Sequence, residues 1–445
     1  MAKARGYEQA WLGGARNPST FDWIVAVFLV AVQVGAAAAV VAVFFESDPT
    51  RVERHPVNTV CVAASLACIV IASSFVYRDI ARLLARNMAV LAYVTLVVTS
   101  VAWSIHPDLT FRRSIGVILS ILVAAYLTVR FGEKARMRVF SFVFAILGIG
   151  SLLFVAAYPD YGIAAEGQWR GVFDHKNTLG AIMAIAIFTE LYLLVLGNWR
   201  PSWRFGLLSI YFIMLILSQS VTSLLVAVIY LVGTAVYSVG KHDKLAGLVV
   251  AIILGLPLLL LQLGLWYNAD FLLSFLGKNA TLTGRTDLWL AVLDLIKGSP
   301  LLGWGYMAAW VPTDPQIAAI IQELHWSVSS AHSAYLDVTL QLGLVGLGLL
   351  LMIIAIAWQR ARACCRKGVL PLGWFSLLFI VGALFYSISE SGLGSNQDPY
   401  WLILNVFNFS CGLSLARGAA LGAAPAWSQA GLRQAGADRL TAASK

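Results

Sequence analysis

Charged residues are scarce in this chain. They make up 12% of the 445 residues, whereas hydrophobic residues make up 60%, and the mean hydropathy is +0.80. Long apolar runs alternate with short polar segments, a pattern typical of a polytopic helical membrane protein. The net charge of +9 is explained mainly by basic residues in the short polar segments, so it does not indicate a nucleic-acid partner.

Cysteine and histidine are also few. Cys61, Cys68 and Cys411 fall in apolar runs. Cys364 and Cys365 fall in a predicted basic loop, so no disulfide framework is indicated. The six histidines show no HExxH motif, and the chain lacks a P-loop, a dinucleotide-binding motif and a GxSxG motif. We therefore predict no metal site and no cofactor.

The apolar runs predict an all-α integral membrane protein with about twelve transmembrane helices. A large, partly helical periplasmic loop separates the ninth and tenth spans. The predicted spans cover residues 22–45, 57–77, 88–105, 113–130, 138–157, 179–197, 205–218, 222–239, 246–265, 333–357, 372–390 and 401–417. The predicted organisation is nine spans in residues 1–265, the loop in 266–332, three spans in 333–417 and a cytoplasmic tail in 418–445.

The distribution of basic residues predicts the orientation. With the N-terminus in the cytoplasm, 22 of the 31 lysines and arginines fall on the cytoplasmic side, as the positive-inside rule requires. This places both termini in the cytoplasm and the protein in the bacterial inner membrane. Nine basic residues remain on the periplasmic side, among them Arg170, Lys176 and Arg285. Because they stand against the rule, we look for function among them.

A helix is predicted within TLTGRTDLWLAVLDLIKGSP, which lies in the large loop. Thr286 and Asp287 suit a helix start, and the apolar positions Trp289, Val292, Leu293 and Ile296 follow helical spacing, so they predict one buried face. Arg285 then lies at the helix N-terminus, where backbone N–H groups and a guanidinium together favour an anion such as phosphate. The alternative is a surface helix whose arginine contacts lipid head groups.

Four further ionisable residues lie at the ends of predicted spans or within them. His332 lies where the chain re-enters the membrane, with Asp337 close by, and it is suited to proton transfer near neutral pH, although a structural role is the alternative. Glu390 falls at another outer helix end and is expected to line the same cavity. Glu190 falls within a span, where a carboxylate needs a partner or a polar crevice.

Together these segments resemble a known family. The quoted stretches are RGVFDHKNTLG (170–180), LTGRTDLW (282–289), PLLGWGY (300–306) and AHSAYLDVTLQLGLVGL (331–347). They are similar to the bacterial O-antigen ligase and polysaccharide polymerase superfamily, and most similar to its exopolysaccharide production polymerases. Asp174 departs from the glycine that precedes the histidine in many relatives.

The resemblance implies a metal-independent membrane glycosyltransferase with its active site on the periplasmic face. It would transfer a glycan from undecaprenyl diphosphate to an acceptor sugar. Arg170 and Arg285 would bind the donor diphosphate with help from Lys176, and His332 would activate the acceptor hydroxyl. A protein that regulates chain length is a further expected partner. His175 and its neighbour Asn177 would have supporting roles, as would Asp337 and Glu390; the cations beside His175 are expected to make it a poor base.

Two alternatives remain open. One is a ligase of the same superfamily, which would pass finished glycan to lipid A–core. The other is a transporter of lipid-linked glycans, which would call for a charged central path and internal repeat symmetry. No internal repeat is visible, and charge collects at the outer face instead.

Overall fold

A computed structural model describes residues 18–36, 55–197, 203–253, 285–312, 314–324 and 328–423. Within these residues the regular structure is helical, apart from an isolated bridge between Ile163 and Trp169, so the predicted all-α class is confirmed. The helices are Thr20–Gln33, Pro56–Ser74, Tyr77–Ala85, Met88–Thr99, Pro107–Arg130, Glu133–Ala157, Pro159–Gly162, Lys176–Leu196, Trp203–Ser218, Val221–Gly240, Lys244–Ile253, Arg285–Gly298, Pro315–Leu324, Ala334–Arg366, Leu370–Ser389 and Pro399–Ala423.

Within the described part of the chain, a helix overlaps each of the twelve predicted stretches. Seven of these helices are long and apolar enough to cross a membrane. An eighth is obtained if Tyr77–Ala85 and Met88–Ala102, which meet at 93°, are counted as one bent span. The chain is therefore a multi-pass membrane protein, and the count of twelve and the orientation stay predictions. Residues 254–284, which include the first part of the large loop, lie outside the described residues.

Helix Lys176–Leu196 is the centre of the bundle. It is apolar on all sides and almost entirely buried, as expected of a helix surrounded by other helices. Near its middle, the ring of Phe188 lies 4.7 to 5.9 Å, between centroids, from four aromatic rings of other helices. Those rings belong to Tyr230, Phe375, Phe379 and Phe407. This packing fixes the helix, and with it the position of its first turn.

The buried carboxylate of Glu190 has its partner on the next helix. Arg204 donates a hydrogen bond to Glu190 Oε2, and Ser141 donates one to Oε1. Both charged side chains are almost fully buried. The pair neutralises the charge that the sequence placed in a span, which is how proteins tolerate ionised groups in an apolar interior.

Helix Ala334–Arg366 is kinked at Gly343, where φ is +66° and ψ is −169°. The loop segment 300–306 docks against the kink and uses the backbone groups that the kink exposes. Leu344 N–H donates to Pro300 O at 2.8 Å, and Trp304 N–H donates to Leu340 O at 3.0 Å. The PLLGWGY motif thus docks against the helix at its kink.

Two local predictions are wrong. Cys364 and Cys365 lie inside helix Ala334–Arg366, not in a loop, because the helix extends beyond its predicted end. Its extension is supported by Arg360, which donates to Asn408 Oδ1 at 2.8 Å. In helix Arg285–Gly298, Leu293 is 44% exposed, and Leu288 takes its expected place in the buried face.

Gly343→Ala is expected to destabilise the protein. Its φ and ψ lie in a region that only glycine occupies readily, and a Cβ would overlap the backbone of Leu301, so the cost is at least about 3 kcal/mol. Gly348→Ala is the matched control, since a Cβ there meets no atom within 4 Å. Thermal unfolding in detergent measures both. Equal melting temperatures for the two variants would contradict the kink.

Candidate active site

Glu390 is the shared partner of residues from several segments. It directly follows helix Leu370–Ser389, and it is 6% exposed. Its Oε1 accepts hydrogen bonds from Arg285 Nη2 at 2.9 Å and from Asn177 Nδ2 at 2.7 Å. Its Oε2 lies 3.6 Å from His332 Nδ1. Side chains more than 200 positions apart in sequence therefore meet at one carboxylate.

Arg285 is held from two sides. Its Nη2 contacts Glu390, and its Nη1 donates to the carbonyl oxygen of Ser389. The helix that carries it buries Leu288 and Val292 against helix Pro315–Leu324 and the residues before His332. The guanidinium is thus fixed in orientation before any ligand binds. Such a fixed planar donor suits bidentate recognition of a phosphate group.

The first turn of the central helix supplies the second group. The helix begins at Lys176, three residues before the predicted span, because His175 caps it: His175 Nδ1 accepts a hydrogen bond from Asn177 N–H at 3.2 Å. The cap satisfies one of the free backbone donors of the first turn. Lys176 and Asn177 therefore start the helix, and Asn177 reaches Glu390.

His332 occupies a left-handed backbone conformation, with φ at +48°. The residues around it are tied down. Asp337, which is buried, accepts from Ala331 N–H at 3.1 Å and from Trp310 Nε1 at 2.7 Å, and it also accepts from the Ser391 hydroxyl. A non-glycine residue keeps such a conformation only where its surroundings fix it, which is common at functional sites.

The hydrogen bonds of Asp337 hold together the two segments that carry His332 and Glu390. Asp337 links the residue before His332 to the residue after Glu390. A second link is the hydrogen bond from Ala334 N–H to the Glu390 carbonyl oxygen, at 3.2 Å. Together they set the His332 ring beside the Glu390 carboxylate.

Arg170 is placed in the loop that leads to His175. Its Nε donates to the Tyr161 carbonyl oxygen at 2.6 Å, so the contact it makes lies within its own loop. Two features fix the loop: Phe173 is buried, and Gly171, with φ at +60°, packs against Ser151. The structure thus brings Arg285, Asn177 and His332 together at Glu390. A role for Arg170 facing Arg285 stays a prediction.

The electrostatics of the cluster favour an ionised Glu390. Burial raises the pKa of Glu390, but His332 and Arg285 outweigh it and hold the pKa below its ordinary value. The pKa of His175 is lowered, chiefly because the surrounding protein displaces water from the ring, and less through Lys176 and His332. Desolvation, and not the flanking cations expected from the sequence, is thus the main cause of the lowered pKa of His175.

Two residues of the site were missed by the sequence argument, namely Ser391 and Trp310, which both donate to Asp337. The proximity of Ser391 to Glu390 was the one available signal. Among the described residues, no group of three or more His, Cys, Asp or Glu side chains is arranged to hold a metal ion. The groups that converge here are instead the guanidinium of Arg285 and the imidazole of His332, around the Glu390 carboxylate.

Part of the chain that carries this cluster is similar to known proteins. Residues 175–351 match the protein family described as O-Antigen ligase. The chain is also similar to the exopolysaccharide production protein ExoQ of Rhizobium meliloti (strain 1021), with 29% identity over 298 residues that cover 63% of this chain and 67% of that protein. The resemblance to the O-antigen ligase family is confirmed. The stretch that matches the family includes Asn177, Arg285 and His332, whereas Glu390 lies beyond it.

Glu390→Gln is expected to remove an acid-sensitive part of the stability of this protein. Because the folded-state pKa of Glu390 lies below its ordinary value of 4.5, its contribution is present above about pH 4.5 and is lost as the pH falls through the lowered pKa. Charged hydrogen bonds of this kind contribute about 2 kcal/mol. The measurement is the difference in unfolding free energy between wild type and variant at pH 7 and in acid.

Glu166→Gln serves as the control, since Glu166 is exposed in the loop that precedes Arg170. We expect the Glu390→Gln deficit to be large at pH 7 and to shrink below pH 4, while the control matches wild type throughout. A deficit of the same size at both pH values would show that ionisation of Glu390 contributes nothing.

Proposed function

We propose that this protein is a metal-independent glycosyltransferase that polymerises undecaprenyl-diphosphate-linked repeat units into an exopolysaccharide or O-antigen-like polysaccharide. The observation that carries the proposal is the convergence of Arg285, Asn177 and His332 on Glu390. These three residues come from three of the four segments on which the family resemblance rests. The O-antigen ligase family implies glycosyltransferase-type activity, which agrees with the chemistry of the cluster.

The donor diphosphate would bind to the cations of the cluster. Arg285 presents a fixed guanidinium, and Lys176 stands in the first turn of the central helix, whose backbone N–H groups also favour an anion. Arg170 would add a second guanidinium from the adjoining loop. Diphosphate is already a good leaving group, so the enzyme has mainly to stabilise the negative charge that develops as it departs. Fixed cations supply that stabilisation.

His332 would act as the general base. In the tautomer with a proton on Nδ1, that proton faces Glu390 Oε2, and Nε2 is left to accept the proton of the acceptor hydroxyl. Glu390 is then a positioning residue, because it fixes the ring and balances the positive charge that the ring gains. Arg285 and Asn177 in turn hold Glu390.

The proposed reaction is a single displacement. The acceptor oxygen forms a bond to the anomeric carbon of the donor, and its proton passes to His332. The bond between that carbon and the phosphate oxygen breaks, and undecaprenyl diphosphate leaves with the electron pair. One displacement inverts the anomeric configuration, as in other reactions that form no covalent glycosyl intermediate.

The proposal includes a location and partners. The cluster would lie at the periplasmic face of the bacterial inner membrane, with both chain termini in the cytoplasm. This orientation is supported by the excess of lysine and arginine in the loops at the opposite ends of the helices. The proposed partners are the lipid-linked donor, a glycan acceptor, the bilayer and a protein that regulates chain length.

The second candidate is an O-antigen ligase that transfers the glycan to lipid A–core. It is favoured by the description of the matching family, whereas the similarity to an exopolysaccharide production protein favours the polymerase. Both candidates use the same site and differ in the acceptor.

Arg285→Ala and His332→Ala are expected to abolish most of the activity in proteoliposomes supplied with undecaprenyl-diphosphate repeat units. Loss of a fixed charge donor costs about 100- to 1,000-fold in rate, and loss of a general base costs about 100-fold or more. Lys297→Ala is the matched control, because Lys297 is exposed near the other end of the Arg285 helix and pairs with Asp294. Product length is read by gel electrophoresis of the lipid-linked chains.

Longer lipid-linked chains without added metal would support the polymerase. Product formed only when lipid A–core is supplied would assign the ligase instead. If neither acceptor yields a glycosidic product, the glycosyltransferase proposal fails.

A further inference from the structure

A cavity lined by arginines lies at the opposite end of the bundle from Glu390. Helix Ala334–Arg366 starts beside Glu390 and carries Arg360 near its other end, roughly 35–40 Å away at 1.5 Å per residue. This distance matches the thickness of a bilayer, whose hydrocarbon core is about 30 Å. Around Arg360 the helices enclose a cavity of about 480 Å³. It is therefore separate from the proposed catalytic site and faces the other leaflet.

The cavity lining carries an excess of positive charge. Four arginines line it, namely Arg82, Arg86, Arg360 and Arg417, against a single carboxylate, Asp79. That carboxylate contacts Arg82 at 3.3 Å, at the exposed edge of the cavity. No second carboxylate is among the lining residues to pair with Arg86, Arg360 or Arg417. An anion inside the cavity would offset their mutual repulsion.

Arg360 is the fixed element of this cavity. Its Nη1 donates to the amide oxygens of Asn87 and Asn408, and its Nη2 donates to the Arg86 carbonyl oxygen at 3.0 Å. Both asparagines are buried. Gly412 leaves room for the guanidinium, since a Cβ at that position would lie 3.1 Å from Nη1. Helix Pro399–Ala423 and the break between Tyr77–Ala85 and Met88–Thr99 thus hold one charged group in a set orientation, as in a built binding site rather than a flexible surface.

The neighbouring helix, Tyr77–Ala85, indicates where the cavity lies relative to the membrane surface. Tyr77–Ala85 meets Met88–Ala102 at 93°, and it buries Ile80 and Leu83 while exposing its charged side chains. A short helix with one apolar face and exposed charges suits the membrane surface at head-group level. The cavity wall also includes apolar side chains, among them Leu83, Val129 and Leu415. A ligand with a phosphate and an apolar chain would match both parts of the lining.

We propose that this cavity binds the phosphate head group of an anionic phospholipid from the adjoining leaflet. Arg360 and Arg86 contact the phosphate, Arg417 closes the cavity from the last helix, and the acyl chains follow the apolar wall. Basic pockets between helices, close to a leaflet rich in anionic lipid, bind such head groups. The site would tie the ends of three helices together far from the chemistry, and it is independent of the proposed glycosyl transfer.

The test compares lipid retention by purified full-length variants. Arg86→Gln combined with Arg417→Gln removes two exposed arginines from the lining and leaves the Arg360 contacts in place. Arg78→Gln is the matched control, because Arg78 is exposed on the same surface helix but contacts Tyr77 and does not line the cavity. Each protein is titrated with phosphatidylglycerol or phosphatidylcholine in neutral detergent, and bound lipid is counted by native mass spectrometry.

We expect wild type and the Arg78→Gln variant to retain phosphatidylglycerol in preference to phosphatidylcholine. The double variant should bind phosphatidylglycerol about 30-fold more weakly, on the order expected for the loss of two charges near an anionic head group. Equal melting temperatures of wild type and the double variant in neutral detergent would show that the double variant is folded. If it is not, Arg82→Gln is the second variant to be tested.

Inorganic phosphate and glycerol phosphate distinguish the two sources of the same chemistry. Displacement of lipid only at high salt, with no effect of millimolar glycerol phosphate, would support a lipid site. Stabilisation by glycerol phosphate in wild type but not in the double variant would show that the cavity binds an anion, but that its ligand is a soluble phosphate and not a lipid. Equal retention of both lipids, or the same retention in all variants, would overturn the proposal.

Discussion

A buried carboxylate is stable as an anion only if cations and hydrogen-bond donors replace the water it has lost. Glu390 meets this requirement by drawing on residues from three other parts of the chain, with Arg285 and Asn177 on one oxygen and His332 beside the other. The same interaction orients a guanidinium and an imidazole toward one place. The need to neutralise one acid thus assembles the groups that glycosyl transfer requires.

The scaffold makes this convergence possible by fixing the ends of three helices. The aromatic rings around Phe188 hold the central helix, and this fixes the position of Asn177 in its first turn. The kink at Gly343 admits the PLLGWGY segment, which connects the Arg285 helix to the helix that follows His332. Each device uses ordinary packing or backbone hydrogen bonding, and together they support a polar cluster at the edge of an apolar bundle.

Sequence patterns predicted what depends on local order. The apolar runs located the helices, and the TGRTDLW segment predicted a helix at Arg285, because both follow from composition and spacing within short windows. Apart from the expected proximity of Glu390 and His332, long-range partners were not predictable in this way. The pairing of Glu190 with Arg204 and the sharing of Glu390 by three segments depend on which helices pack together. For the same reason the exposure of Leu293 and the helical setting of Cys364 differ from expectation.

The link between Arg285 and Glu390 is measured most directly by a double-mutant cycle in unfolding free energy. Arg285→Met, Glu390→Gln and the combined variant are compared with wild type at pH 7. If Glu390 is the shared partner on which the cluster depends, removal of either residue leaves the other without its counter-charge, and the coupling energy is about 1–3 kcal/mol. Strictly additive effects, with a coupling near zero, would show that the two residues are independent and would contradict a site organised around Glu390.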